Sequence, residues 1–111
     1  MTDVNLADYK NLYIESLRES IKSLSLQYDK LSTNPLDKEA LGDLHIASHS
    51  LRGRSQVMGF ENIADSSANI EKISNDILNG IGQVDDNFLT IVRKSLSELS
   101  LELAQLEGKS I

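Results

Sequence analysis

Residues 44–60 read Leu44-His45-Ile46-Ala47-Ser48-His49-Ser50-Leu51-Arg52-Gly53-Arg54-Ser55-Gln56-Val57-Met58-Gly59-Phe60. At about 100° per residue, Leu44, Ala47, Leu51, Ser55 and Met58 gather on one side, the spacing of a helix that buries a single stripe. His45, His49, Arg52, Gly53 and Gln56 gather almost opposite them. The run ends at Gly59-Phe60, a corner signal, so a further helix should fold back on this one. That helix is expected over about residues 61–78, with Ile63, Ser67, Ile70, Ile73 and Ile77 inward and Asn79-Gly80 as its stop.

The same periodicity continues outward in both directions. Upstream, Ala40 extends the stripe and the helix reaches back to Pro35, with Asn34 as its N-cap and Asp37 near the positive end of its dipole. Before it, Leu6, Tyr9, Leu12, Tyr13, Leu17, Ile21, Leu24, Tyr28 and Leu31 form a stripe of about seven turns that starts near Asn5 or Leu6. Ser32-Thr33-Asn34-Pro35 breaks it. Downstream, Asp85 or Asp86 caps a helix carrying Phe88, Val92, Leu96, Leu99, Leu103 and Leu106, ended by Gly108. Four amphipathic helices with short connections predict an all-α fold. The expected architecture is an antiparallel four-helix bundle in up-down-up-down order, with room for an extra short or terminal helix, as one domain over residues 1–111. Tyr9, Tyr13 and Tyr28 should sit in the core or at its edge with hydroxyls reaching water. Met58 should fill the corner with Phe60, and the serines outside the stripes should be solvated. The charged runs from Glu15 to Lys22 and from Asp37 to Asp43 read as exposed faces, and the polar end Glu107-Gly108-Lys109-Ser110 as a terminus or the start of a linker.

Composition narrows the function. The 111 residues are 40% hydrophobic, 25% charged and only 5% aromatic, so the core must be built mainly from Leu, Ile and Ala. A formal net charge of −6 argues against non-specific nucleic-acid binding, which needs cations to neutralise phosphates. Without cysteine there is no disulfide, thiol chemistry or cysteine-ligated metal. No apolar run approaches the roughly 20 residues that span a bilayer, and the start lacks a signal pattern, so a cytoplasmic protein with no membrane partner is expected.

The wet strip of the second helix is not explained by packing. An interior Gly costs roughly 1 kcal/mol against Ala, so Gly53 suggests clearance for another molecule beside His49. In a hairpin turning near residue 60, His49 and Glu71 stand at one level, and Glu71 lies at the edge of its own helix's buried stripe. A carboxylate there could accept a hydrogen bond from His49 Nδ1 and leave Nε2 unprotonated, exposed and nucleophilic.

His49-Ser50-Leu51-Arg52-Gly53, then Met58-Gly59-Phe60, then Glu71 resembles the histidine-phosphotransfer (HPt) domains of two-component signalling, most of all the N-terminal phosphotransfer domain of CheA-type chemotaxis histidine kinases. The opening Asp8-Tyr9-Lys10-Asn11-Leu12-Tyr13-Ile14-Glu15-Ser16-Leu17 is similar to the start of such domains, so the resemblance spans nearly the whole chain. It implies that His49 accepts a phosphoryl group, that Arg52 (where the family usually has Lys) offers positive charge to the phosphoryl oxygens, and that Glu71 orients the imidazole. His45, Gly53 and Gln56 would form the partner-docking face. Two departures stand out: Ala68 where the chemotaxis family often has a second His, with His45 a partial substitute, and Arg54 where a small residue is common.

The implied partners are the ATP-binding domain of a histidine kinase, which loads His49, and a response-regulator receiver domain, which takes the phosphoryl group onto its aspartate. No cofactor is expected on this domain, since it has neither a Gly-rich ATP loop nor an acidic cluster beside His49, so ATP and Mg²⁺ would come with the partners. Whether the chain acts as an enzyme or only as a relay intermediate stays open. Two other readings also stay open. His45 and His49, one turn apart, could chelate a metal with help from Glu71, although no His-Glu-x-x-His signature is present. Alternatively, the bundle could serve assembly alone, through Leu96, Leu99, Leu103 and Leu106 of the last helix.

Overall fold

The computed structural model describes residues 6–108, with side chains from Asp8 onward. The expected inward position of the Leu6 side chain and the polar tail Lys109-Ser110 lie outside the described residues. Four helices follow in order: α1 (Leu6–Thr33), α2 (Lys38–Met58), α3 (Glu61–Leu78) and α4 (Asp86–Leu106). Each packs on two neighbours, α2 against α1 and α3, and α4 against α3 and α1, which closes an antiparallel ring. Among the described residues there is no strand and no fifth helix.

The stripes meet at the centre. Leu17, Leu24 and Leu31 of α1, Leu44 and Leu51 of α2, Ile63 and Ile70 of α3, and Phe88, Val92 and Leu99 of α4 are fully buried. Each such side chain stabilises the fold by about 1.5–3 kcal/mol through lost apolar exposure. Ala47, Met58, Ile73, Ile77, Leu103 and Leu106 pack half-buried around them.

Four expectations need correction. The first concerns the start of α2, which is capped by Asp37 and not by Asn34. Asp37 holds an extended backbone and its carboxylate accepts the Ala40 N–H at 3.0 Å. The Asn34 side chain accepts the Leu36 N–H at 3.1 Å, so Asn34-Pro35-Leu36 forms a turn outside the helix. Asn followed by Pro is a turn signature as much as a cap signature, and here the turn wins.

The second concerns α1, whose Tyr9 and Leu12 are exposed. Tyr13 already stacks on Phe60 at the α2–α3 corner, with ring centroids 4.9 Å apart, so the turn before it lies beyond that hairpin. The third is Tyr13 itself. Its hydroxyl does not reach water but donates to Ser55 Oγ at 2.7 Å in the interior, and burial raises its pKa. The fourth concerns the serines. Ser48, Ser66, Ser74 and Ser95 are buried along with Ser55 and Ser67. Ser48, Ser55, Ser67 and Ser74 each donate back to the carbonyl four residues earlier, which satisfies the hydroxyl inside the helix and lets a small polar residue face the core.

Candidate functional site

The hairpin of α2 and α3 builds the site. Gly59 turns it with a φ of +78°, a left-handed conformation that residues with a side chain rarely adopt. Its N–H bonds to the Gln56 carbonyl at 3.2 Å, and the Phe60 N–H bonds to that of Ser55 at 2.9 Å. That two-residue link fixes the register of the hairpin, and it brings His49 level with Glu71.

His49 Nδ1 is hydrogen-bonded to Glu71 Oε2. The His49 side chain is 62% exposed and that of Glu71 only 16%, so a sheltered carboxylate holds a wet imidazole. A carboxylate can only accept, so Nδ1 carries a hydrogen, and in the neutral imidazole this leaves the free lone pair on Nε2. Nε2 has no protein partner among the described residues. Partial burial alone would raise the Glu71 carboxyl, but hydrogen bonds from Arg52 and His49 outweigh it and hold the group below the usual carboxylate range.

Arg52 is placed differently from the phosphoryl-facing position that the resemblance implies. Its Nε is bonded to Glu71 Oε1, its Nη2 lies 3.4 Å from Oε2, and its Nη1 donates to Gln56 Oε1 at 3.3 Å. Gln56 is exposed but tied to Arg52. His45 stacks on His49 one turn before it, ring centroids 6.3 Å apart and planes at 21°. A Cβ built on Gly53 would meet nothing within 4 Å, so the approach past it is open. Arg54 turns to the other side, donating to Ser50 Oγ at 2.5 Å and Ser20 Oγ at 2.6 Å. Sequence reasoning brought His49 and Glu71 together but missed the Arg52–Glu71 and Arg52–Gln56 links. The second could have been read from the i, i+4 spacing of Arg52 and Gln56.

No protein-family model matches the sequence. Among curated proteins it is 25% identical to chemotaxis protein CheA of Bacillus subtilis over 96 residues, and 22% identical to that of Listeria monocytogenes over 97. The matches cover 86% and 87% of this chain but only 14% and 16% of those proteins. The chain therefore spans about one-seventh of the length of the curated relatives it matches. Among solved structures, the CheA phosphotransferase domain of Thermotoga maritima superposes with a TM-score of 0.86 at 19% identity, covering 93% of this chain and 98% of that one. The fold is that of the CheA phosphotransferase domain. A computationally redesigned four-helix bundle also superposes, with a TM-score of 0.82 at 21% identity. The CheA-like fold alone does not make a phosphotransfer site, so function has to be argued from His49 and its neighbours.

The two competing readings fare differently from the CheA-like one. Glu71 is taken up by His49 and Arg52, and among the described residues no three His, Asp or Glu side chains gather where they could hold a metal ion. Leu96 and Leu99 are buried in the bundle's own interior, and Leu103 and Leu106 pack half-buried against it, so all four are engaged within this chain's own core. Among the described residues no helix is long and apolar enough to cross a membrane.

Proposed function

We propose that this chain is a histidine-phosphotransfer domain of a two-component relay, with His49 as the phospho-acceptor. The observation that carries the reading is the His49–Glu71 pair: Nδ1 is fixed by a sheltered carboxylate while the rest of the ring is largely exposed, one turn before a residue without a side chain. In this reading the Nε2 lone pair attacks the γ-phosphorus of ATP held by a kinase's ATP-binding domain. The N–P bond forms, the bond to the bridging oxygen breaks, and ADP leaves with that electron pair. No proton has to move. The positive charge that develops on the ring is met by Glu71 through the Nδ1 hydrogen, which is preorganised electrostatic support. In the onward step the N–P bond breaks, the pair returns to Nε2, and a receiver aspartate oxygen takes the phosphoryl group. Both transfers pass through loose transition states that depend on positioning more than covalent chemistry, so a small bundle presenting one well-held imidazole suffices.

The domain's part is that of a relay substrate. ATP and Mg²⁺ come with the partners, and the docking face is the strip of His45, Gly53 and Gln56 around His49. Similarity to CheA favours a chemotaxis-type relay in the cytoplasm, where ATP is available. The test uses the purified chain, a CheA ATP-binding domain and labelled ATP. His49→Gln should abolish acid-labile labelling and His45→Gln should retain it, with both variants unfolding near the parent midpoint because neither ring is in the core. Continued labelling of the His49 variant would overturn the assignment.

A further inference from the structure

We propose that Arg54, with the hydroxyls of Ser20 and Ser50, anchors a carboxylate of the docked receiver domain, so that the partner's footprint runs from His49 across α2 onto α1. The inference rests on the phosphotransfer reading above and deepens it. Arg18, Arg52 and Arg54 are half-buried. Arg18 is paired with Glu107 and Arg52 with Glu71, but Arg54 has no carboxylate partner among the described residues. Two neutral groups hold its guanidinium instead, Ser50 Oγ on Nη1 and Ser20 Oγ on Nη2, and its Nε is buried without a partner. A partly dehydrated charge held in this way is incompletely balanced by the fold.

The unspent hydrogens call for an acceptor. Each serine hydroxyl accepts from Arg54 and donates to nothing else among the described residues, and each terminal nitrogen of the guanidinium has a second hydrogen. Uncommitted donors around a fixed cation suit a carboxylate. The surroundings favour a protein over a small ion. Ser50 is exposed, and Ile46 and Val57 on the same face of α2 are 66% and 87% exposed. The larger cavities lie elsewhere, at the α1–α2 and α3–α4 loops and along α3 and α4. Apolar side chains beside an arginine are the make-up of a protein interface. Charge then selects the receiver. Residues 44–60 contain no Asp or Glu in a chain of net charge −6, whereas a receiver must gather carboxylates beside its acceptor aspartate to hold Mg²⁺. The small residue common at this position in similar domains has no such anchor, so Arg54 sets which receivers dock well.

The experiment loads the full chain with phosphoramidate and follows transfer to a chemotaxis receiver domain in Mg²⁺ buffer, at rising receiver concentration. Arg54→Gln should raise KM for the receiver roughly tenfold, the scale of losing one interface arginine, and the effect should fall on KM rather than on the maximal rate. Arg54→Lys should recover part of the loss. Added salt should raise the parent KM more steeply than that of Arg54→Gln, because the missing contact is ionic. Ser20→Ala, on α1 and away from His49, should raise KM by a smaller factor and tests the same anchor without touching α2. Urea midpoints check that each variant is folded. An unchanged KM in Arg54→Gln, a fall in the maximal rate alone, or the same salt dependence as the parent would overturn the proposal and leave Arg54 a tie between α1 and α2. Failure of the parent chain to take up a phosphoryl group would strike the phosphotransfer reading instead. Titration of the unphosphorylated chain with the same receiver, followed by NMR, would then decide the role of Arg54: weaker binding by Arg54→Gln supports the anchor, and equal binding overturns it.

Discussion

At Glu71 two opposing effects meet. Shelter from water favours the protonated acid, while donors from Arg52 and His49 favour the anion, and the donors win. Because the folded value is depressed, the contribution of this contact to stability is complete above the ordinary carboxylate pKa and is lost as pH falls through the depressed one. The Glu71 carboxyl carbon, followed by NMR, should therefore titrate below an unpaired glutamate, and the loss of the His49 contact should track it. Glu71→Ala should slow phosphorylation of His49 substantially and even out its tautomers, while helix content stays intact. Unchanged phosphorylation in that variant would mean that the pair has no part in the chemistry. The pairing itself was legible in the sequence, because both residues lie equally far from Phe60 at the corner. The allegiance of Arg52 was not. A helical wheel assigns a face, but it does not say how far a long side chain leans across to the next helix.

At the scale of the element, α2 carries two features whose effects separate. Gly53 sits mid-helix with open space around it, so Gly53→Ala should raise stability by up to about 1 kcal/mol in urea unfolding. Gly53→Gln should keep the fold but reduce transfer from His49 to a receiver, because its side chain would fill the space through which a partner approaches. Undiminished transfer would make the glycine incidental to docking. At the other end, Asp37→Ala should cost about 1 kcal/mol by removing the cap on the Ala40 N–H, whereas Asn34→Ala should spare the helix start. The choice between Asn34 and Asp37 was beyond the sequence pattern, since both are good capping residues. Pro35 does not separate them, since it suits the turn that Asn34 closes as well as a first helical turn; the side-chain bonds do, Asn34 taking the Leu36 N–H and Asp37 the Ala40 N–H.

For the whole molecule, the bundle was readable from spacing alone because apolar side chains, Leu above all, recur every three to four residues in all four helices. Its finer packing was not. Ser48 and Ser74 look like surface residues by polarity, yet their hydroxyls are satisfied within their own helices, and that local bond does not register in a hydrophobic pattern. Since Leu44 and Leu51 are fully buried on the same helix that displays His49, Leu44→Ala should cost about 2–5 kcal/mol and loosen the whole bundle, lowering phosphorylation only through unfolding. The exposed histidine can be changed without that penalty, which separates the site from its scaffold. The most direct measurement is therefore phosphorus and nitrogen NMR of the chain after phosphorylation by a CheA ATP-binding domain. The predicted result is one phosphohistidine, at His49, with phosphorus on Nε2 and the hydrogen still on Nδ1 toward Glu71. Phosphorus on Nδ1, or on any residue other than His49, would contradict the account.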